Sequence, residues 1–180
     1  MLNKQNIQDR GIVKYNMGLN TNKIAFVFAC PGQEELNNGK VVCGQTGENL
    51  TSLIKYLNQK DDTLFPSLCR YDYLITNASE RIYFKGYKDS NRTLPYLRKD
   101  VYTEENIKRL ENEISNKTVV ICFGRHAKKA LKKLKNKLSD LTIICFKYHL
   151  GMQGINHIRG DELTTEKRIE KIAKYICNQI

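Results

Sequence analysis

Four short apolar runs, separated by helical patterns, constrain the fold of this chain more than any other feature. The runs are Ile24–Ala29, Tyr71–Thr76, Thr118–Phe123 and Leu141–Phe146. Each is almost continuously hydrophobic and contains β-branched or aromatic residues, which is typical of strands that are buried on both faces. Strands that alternate with helices indicate a parallel sheet covered by helices. The sequence therefore predicts an α/β fold with four parallel strands.

Three amphipathic helices are predicted from apolar residues that repeat at i, i+3, i+4 and i+7. The three sets are Leu50, Leu53, Ile54 and Leu57; Ala127, Ala130, Leu131 and Leu134; and Ile169, Ile172, Ala173 and Ile176. A further helix is predicted from about Glu104 to Ile114, and Thr46 and Thr103 stand where N-caps are expected. The stretch from Arg81 to Asp100 has no clear period, so we predict a loop insertion there.

The charge of the chain favours a polyanionic partner. The 180 residues hold 30 Lys and Arg against 19 Asp and Glu, a net charge of +11. The first 90 residues hold 11 basic and 9 acidic residues (net +2), and the last 90 hold 19 and 10 (net +9). The predicted helix Arg125–Leu138 carries seven basic residues and no acidic one. This helix presents either a solvated face or a surface that attracts phosphate.

Length and cysteine usage indicate one intracellular domain. A chain of 180 residues is one domain's worth, so we expect a single domain over residues 1–180. Cys30, Cys122 and Cys145 lie in or at the ends of predicted buried strands, no CxxC pair occurs, and the amino terminus lacks a signal-peptide apolar stretch. No apolar run approaches the roughly 20 residues that cross a bilayer. We expect a cytoplasmic monomer with reduced cysteines in its core.

Functional residues in an open parallel sheet gather at the carboxyl ends of the strands. The segments predicted to lie there are Cys30–Glu35, Asn77–Glu80, Gly124–His126 and Tyr148–Gly151. Asn77 carries a donor and an acceptor and is suited to read one edge of a base, or it closes a turn. His149 is suited to donate a hydrogen bond to a developing anion, or it is a packed histidine. We expect structural or surface roles for His126 and His157. The three histidines of the chain are far apart in sequence, so they do not indicate a zinc site.

A glycine-rich loop follows the first predicted strand and opens onto a helix at Gly44-Gln45-Thr46-Gly47. Glycines before a helix N-terminus allow backbone N–H groups to approach a phosphate, although ordinary turn glycines are the alternative. The loop lacks both the Gly-Lys-Ser/Thr of a P-loop and the GxGxxG dinucleotide fingerprint. These absences argue against a domain that binds or hydrolyses nucleotides, which stays open as a less favoured function class.

The stretch from Ile24 to Leu50, IAFVFACPGQEELNNGKVVCGQTGENL, resembles the first motif of the uracil-DNA glycosylase superfamily. Pro31-Gly32, Gly39, Gly44 and Gly47 fit the spacing of its family-four enzymes without a gap. YLITN, ending at Asn77, resembles the strand whose asparagine reads the base, and VVICFGRHAKKAL resembles the third strand and helix. FKYH, ending at His149, resembles the catalytic-histidine motif. The resemblance spans about Lys23 to Gly154 and implies a three-layer α/β/α fold around a four-stranded parallel sheet.

The resemblance implies a DNA glycosylase that flips a nucleotide into a pocket and breaks its N-glycosidic bond. His149 would donate to the departing base, and Asn77 would hold the pyrimidine edge. Pro31, Gly32 and Gln33 would form the pocket wall. The residues that would contact the DNA phosphates are Gly44, Gln45, Thr46, Arg125 and Lys147. Met152 or Gln153 would act as a minor-groove wedge. Arg159 is also near the site in sequence.

Several departures from the family pattern bear on the reaction. Ala29 and Cys30 stand where the family positions water, so either Glu34, Glu35 or Glu80 replaces that residue or the reaction depends on His149 and the DNA phosphates. Val42 replaces a stacking aromatic residue and, with Ala29, leaves room for a substituted base. His149-Leu150-Gly151 replaces His-Pro-Ser, and the serine that pinches a phosphate is lost. Arg81 stands in place of an iron–sulfur cysteine, so we expect no cluster and no other cofactor.

These features give two leading hypotheses. The first is a monofunctional glycosylase that removes uracil or a modified pyrimidine from DNA, in repair or in defence against foreign DNA with hypermodified bases. The second is a catalytically silent member of the same fold that binds DNA, which the absence of the water-positioning residue favours. The sequence leaves the excised base and the choice between single and double strands open.

Overall fold

A four-stranded, all-parallel sheet lies at the centre of the structure, a computed structural model that describes residues 12–83, 99–135, 137–138, 140–160 and 164–180. The strands are β1 (Ile24–Phe28), β2 (Leu74–Asn77), β3 (Val119–Phe123) and β4 (Thr142–Phe146). They lie in the order β2-β1-β3-β4, and each pair is parallel. The predicted four-stranded parallel sheet is confirmed.

Helices cover both faces of the sheet and complete a three-layer α/β/α fold. They are α1 (Gln33–Asn38), α2 (Gly44–Lys60), α3 (Glu104–Ile114), α4 (Gly124–Leu134), α5 (Met152–Asn156) and α6 (Thr165–Cys177). On one face, α2 packs against α6 over Phe26 and Phe28. On the other face, α3 and α4 pack over the smaller side chains of Ala25 and Val27. Each predicted i, i+3, i+4, i+7 set is buried at these interfaces.

The two edges of the sheet differ in how they are covered. The outer edge of β2 pairs with an N-terminal segment through an antiparallel bridge, in which the backbones of Asn16 and Ile75 exchange two hydrogen bonds of 2.9 Å. The outer strand β4 has Ile144 as its one buried residue, and Thr142 is exposed. The prediction of burial on both faces is therefore right for β1, β2 and β3 and wrong for β4, because the helices cover this edge strand only in part.

Several predicted boundaries need correction. β2 begins at Leu74 rather than Tyr71, because Arg70–Asp72 form a 3-10 turn. Helix α2 begins at Gly44 with Cys43 as its N-cap, since the Gly47 N–H already donates to the Cys43 carbonyl at 3.3 Å. Thr46 is thus a residue of the first turn and not the N-cap.

The other predictions on helix ends and loops have mixed outcomes. Thr103 is an N-cap, as predicted: its Oγ1 accepts from the Asn106 N–H at 3.3 Å. Helix α4 ends at Leu134, four residues before the predicted end, and Lys135 is its C-cap. Of the predicted insertion from Arg81 to Asp100, residues 84–98 lie outside the described residues.

All six cysteines are free thiols. Cys122 and Cys145 are register partners on β3 and β4, and their sulfur atoms are 2.8 Å apart. Cys122 is a buried core residue, as predicted, whereas Cys69 is exposed, so the core role does not extend to every cysteine. No helix in the described ranges has the length and apolar character needed to cross a membrane.

We predict that Leu53→Ala lowers the free energy of unfolding by about 2–5 kcal/mol, because Leu53 is completely buried between α2 and the sheet and its truncation leaves a cavity. Urea denaturation monitored by circular dichroism measures the change. Leu68→Ala is the matched control: Leu68 is 57% exposed, so we expect a change within about 0.5 kcal/mol. Equal effects of the two substitutions would contradict the position of α2.

Candidate active site

An open cleft of about 940 Å³ lies at the carboxyl edge of the sheet. Its lining comes from the segments that follow β1, β3 and β4 and from the first turn of α2. The predicted site residues that line it are Ala29, Gln33, Glu34, Glu35, Gln45, Thr46, Arg125, Lys147, His149, Met152 and Gln153. The structure therefore brings together residues that are up to 124 positions apart in sequence (29 to 153), as the strand-end argument predicts.

Two long helices point their N-termini into the cleft. Gln45 and Thr46 belong to the first turn of the 17-residue α2, and Gly124 and Arg125 begin the 11-residue α4. The first backbone N–H groups of a helix have no partner within it, and the helix dipole adds partial positive charge there. Arg125 and Lys147 add two full positive charges at the same cleft. The cleft is therefore suited to hold anionic groups such as phosphates.

His149 presents a defined hydrogen-bond donor at this cleft. Its Nδ1 accepts a hydrogen bond from the Gly151 N–H at 2.9 Å. Burial lowers the pKa of the imidazole below its ordinary value, so the ring is neutral near pH 7. A neutral ring whose Nδ1 accepts carries its proton on Nε2. His149 is thus set to donate from Nε2–H.

The His149 loop is held in place by close backbone packing. A Cβ on Gly154 would come within 2.0 Å of the His149 carbonyl oxygen, so a glycine is needed where α5 passes this loop. The buried Asn49 of α2 donates from Nδ2 to the Leu150 carbonyl at 2.7 Å. Phe28 of β1 packs edge-on against the His149 ring, with 5.7 Å between the ring centroids. The orientation of His149 is therefore fixed from three directions.

Glu35 lines the cleft and also ties two loops together. Its Oε2 accepts from the Gly32 N–H at 2.9 Å, and its Oε1 accepts from the Cys43 N–H at 3.3 Å. Burial raises the pKa of the Glu35 carboxyl, and the backbone hydrogen bonds partly oppose this. Glu34 lines the same cleft. Of the carboxylates considered for water positioning, these two reach the site.

Glu80 lies elsewhere and is not part of this cleft. It lines a separate cavity of about 440 Å³ beside α3, where its Oε2 lies 4.0 Å from the Arg109 Nε. Burial raises the pKa of the Glu80 carboxyl, and the nearby Arg109 guanidinium opposes the shift. The expectation that Glu80 replaces the missing water-positioning residue is therefore not supported by its position. Glu80 belongs to the strand-end segment after β2, but its side chain lies beside Arg109 of α3 and not in the cleft.

Asn77 ends β2 on the same sheet face as Phe28, its register partner on β1. It is 3% exposed, and its carbonyl accepts from the Arg109 Nη2 at 2.8 Å. Asn77 is not among the residues that line the cleft. The ring of Phe28 thus lies between the Asn77 strand and His149.

Several predicted pocket residues do not line the cleft. Cys30, Pro31, Gly32, Val42 and Gly44 are not among its lining residues. The Cys30 thiol lies 4.0 Å from the Tyr83 carbonyl, and burial raises its pKa to about 12, which excludes a thiolate near neutral pH. Val42 is 2% exposed and belongs to the hydrophobic core. Val42 is therefore not at the cleft surface, and its position gives no support to the expectation that it leaves room for a substituted base.

Three aromatic side chains line the cleft without a predicted catalytic or binding role. His126, Tyr148 and His157 all line it. The Tyr148 ring stacks on His157 with a centroid distance of 5.6 Å and an interplanar angle of 23°, and the Lys147 ammonium lies 5.2 Å from the Tyr148 centroid. His126 and Tyr148 belong to the segments Gly124–His126 and Tyr148–Gly151, which were predicted at this edge of the sheet. His157 follows α5 and has no local signal, because only the turn of that short helix returns it to the cleft.

The described residues contain no cluster of His, Cys, Asp or Glu with the arrangement of a metal site. The chain matches no protein-family model and has no significant match among curated proteins. Its function is therefore argued from the motifs and from the geometry of this cleft.

We predict that the His149 imidazole titrates below the ordinary histidine pKa of about 6.5 and that its Nδ1 is the unprotonated nitrogen at neutral pH. The unfolded chain protonates this ring at the ordinary pKa, so the free energy of unfolding falls as pH drops from there to the lowered value. Two-dimensional ¹H–¹⁵N spectra and urea denaturation across this range measure both effects. His149→Gln removes this part of the pH dependence. A ring that titrates at or above the ordinary value contradicts the assignment.

Proposed function

We propose that this protein is a DNA glycosylase that excises uracil or a modified pyrimidine from DNA and leaves an abasic site. The observation that carries the proposal is the neutral His149, held with Nε2–H as a donor in a cleft where α2 and α4 begin. Three of the four motifs that resemble the uracil-DNA glycosylase superfamily supply residues of this cleft; the strand motif that ends at Asn77 does not. The His149 donor would stabilise the negative charge on the departing base. The N-termini of α2 and α4 would bind the negative charge of the DNA backbone.

The proposed reaction is hydrolysis of the bond between the base nitrogen and the sugar C1′. The bonding electron pair leaves with the base, and the sugar becomes an oxocarbenium-like cation. Water adds its oxygen to C1′, one of its protons is released to a base or to solvent, and the departing anion is finally protonated. His149 donates from Nε2–H to an oxygen of the base as negative charge develops. A donor fixed in this way typically contributes about 3 kcal/mol to the transition state.

The cleft offers a way to hold a flipped nucleotide. Extrusion from a duplex costs a few kcal/mol, so the phosphates next to the flipped base must be gripped. Arg125, Lys147 and the first turn of α2 supply positive charge for this purpose. Met152, which is 37% exposed, and Gln153 lie at the start of α5, and in this proposal one of them would fill the vacated stack.

Glu35 is the carboxylate best placed to activate water. Ala29 and Cys30 carry no group able to do so at the position where the family has one. The raised pKa of Glu35 brings its basicity closer to the pH at which a general base works well. Each Glu35 oxygen accepts one backbone N–H and retains a second acceptor site for a water molecule.

A catalytically silent DNA-binding protein is the second candidate function. The observation that favours it is the double structural use of Glu35, whose two oxygens already join the starts of α1 and α2. With Ala29 and Cys30 in the place of a water-positioning residue, such a protein would retain the phosphate-binding helix ends without turnover.

We predict that the protein converts oligonucleotides containing uracil, 5-hydroxymethyluracil or hypermodified cytosine to abasic products that alkali cleaves, with at least one of these bases excised. Because the support from Val42 is lost, uracil is the first substrate to test. His149→Ala should reduce the single-turnover excision rate by about 100- to 1,000-fold, since one preorganised donor is removed.

Two controls accompany this assay. The affinity of His149→Ala for uracil-free DNA should equal that of the unsubstituted protein, and circular dichroism should show that the variant is folded. No excision of any of the bases by the unsubstituted protein, with DNA binding retained, would favour the silent protein over the glycosylase.

We predict that the excision rate falls as pH decreases through the raised pKa of Glu35, because the protonated carboxyl cannot accept a proton from water. Glu35→Gln should lower the rate and remove this acidic limb of the pH–rate profile. Glu34→Gln is the matched control, as Glu34 lines the same cleft one residue away. If Glu34→Gln removes the acidic limb of the pH–rate profile and Glu35→Gln does not, Glu34 is the general base.

A further inference from the structure

The outward face of α4 carries a stripe of positive charge. Its residues, which we call the α4 stripe, are Arg125, Lys128, Lys129, Lys132 and Lys135. All five are exposed, whereas Ala127, Ala130, Leu131 and Leu134 of the same helix are buried against the sheet. The spacing of three, four and seven residues places the stripe along one side of the helix, opposite its apolar face.

The charge of the α4 stripe is not neutralised locally. Within the described ranges, none of its five side chains forms an ion pair, and α4 contains no acidic residue. The neighbouring lysines are engaged elsewhere: Lys137 pairs with Glu111 at 3.0 Å, and the Lys133 ammonium lies over the ring of Tyr102 at 5.1 Å. Among the described residues, the stripe is therefore a separate set of five cations without an ion-pair partner.

The length of the α4 stripe matches the charge spacing of DNA. The ten residue steps from Arg125 to Lys135 span about 15 Å along the helix axis. One DNA strand carries a phosphate about every 3.4 Å along its axis, so this length faces roughly four phosphates of one strand. Arg125 belongs both to the stripe and to the cleft lining, so the positive surface continues from the cleft along α4.

We propose that the α4 stripe binds the phosphate backbone of DNA outside the cleft and directs the strand toward it. DNA as the polyanion rests on the proposed function. An anionic membrane is the less suitable partner, because the apolar face of α4 is packed in the core and has nothing to insert into lipid. The stripe gives sequence-independent affinity, since it offers only charges to the backbone.

The test is a salt series of DNA binding by the full-length chain. The variant Lys128→Gln/Lys129→Gln/Lys132→Gln removes three charges from the stripe and leaves Arg125 in the cleft. The matched control Lys55→Gln/Lys60→Gln/Lys167→Gln removes three exposed lysines from α2 and α6, on the opposite face of the sheet. Fluorescence anisotropy with a uracil-free duplex of 30 base pairs, a length of about 100 Å, gives the affinity at each salt concentration.

We expect the stripe variant to lower the slope of log affinity against log salt concentration by about 2.7, which corresponds to about 0.9 for each of three lost phosphate contacts. The control should keep the slope of the unsubstituted protein. Equal slopes for the two triple variants would overturn the proposal and make the α4 stripe a solvated face.

Binding to vesicles that contain phosphatidylserine tests whether the α4 stripe binds an anionic membrane instead of DNA. A stripe variant that loses vesicle binding while its DNA slope stays unchanged would also overturn the proposal. Because the duplex contains no excisable base, this measurement is independent of excision. If the protein excises no base but the stripe variant still shows the slope change, the proposed glycosylase function is wrong and the proposal for the α4 stripe stands.

Discussion

The rest of the structure depends on the parallel pairing of β1 with a neighbour on each side. All five β1 residues are buried, and the strand pairs with β2 along one edge and β3 along the other. A buried strand must have its backbone N–H and C=O groups paired, and two neighbours achieve this without water. Since β3 and β4 run in the same direction, the segments after β1, β3 and β4 meet at one edge. The cleft is the space between those segments.

The position of His149 is then decided by contacts between distant parts of the chain. Asn49 on α2 and Leu150 are 101 residues apart, and their hydrogen bond is buried. Such a bond contributes about 1 kcal/mol net, but an unpaired buried carbonyl at Leu150 would cost about 1–3 kcal/mol. The cost of leaving this carbonyl unpaired and the close approach of Gly154 to the His149 carbonyl both favour the observed position of the His149 loop. The donor in the cleft is therefore a product of tertiary packing and not of the local sequence alone.

The fold was predictable because its signals are strong and local. Continuous apolar runs and the 3.6-residue period of sets such as Leu50 to Leu57 identify strands and helices that burial requires. The start of β2 was not predictable in this way, because Tyr71 is as apolar as a strand residue yet belongs to a 3-10 turn. Thr46 was misplaced since Cys43, which lacks a side-chain cap hydrogen bond, occupies the N-cap position.

The candidate site was predictable in part for a related reason. Residues in the segments that follow a strand, such as Gln33 after β1 and His149 after β4, reach the cleft because the sheet carries those segments there. Glu80 also follows a strand, but its segment is drawn toward Arg109 on the other side of the sheet. Val42 and His157 depend on how a loop turns and where a short helix ends, and neither leaves a periodic signal in the sequence.

The backbone of Val42 has a consequence for how the cleft is formed. Its φ of +51° is in the left-handed region, which is unfavourable for a β-branched residue, and a Cβ on Gly47 would come within 2.3 Å of its carbonyl oxygen. Burial of the valine side chain in the core holds this conformation in place. The segment that leads into α2 is thus ordered before any ligand arrives. A phosphate that bound at the start of α2 would therefore lose little binding free energy to ordering that segment.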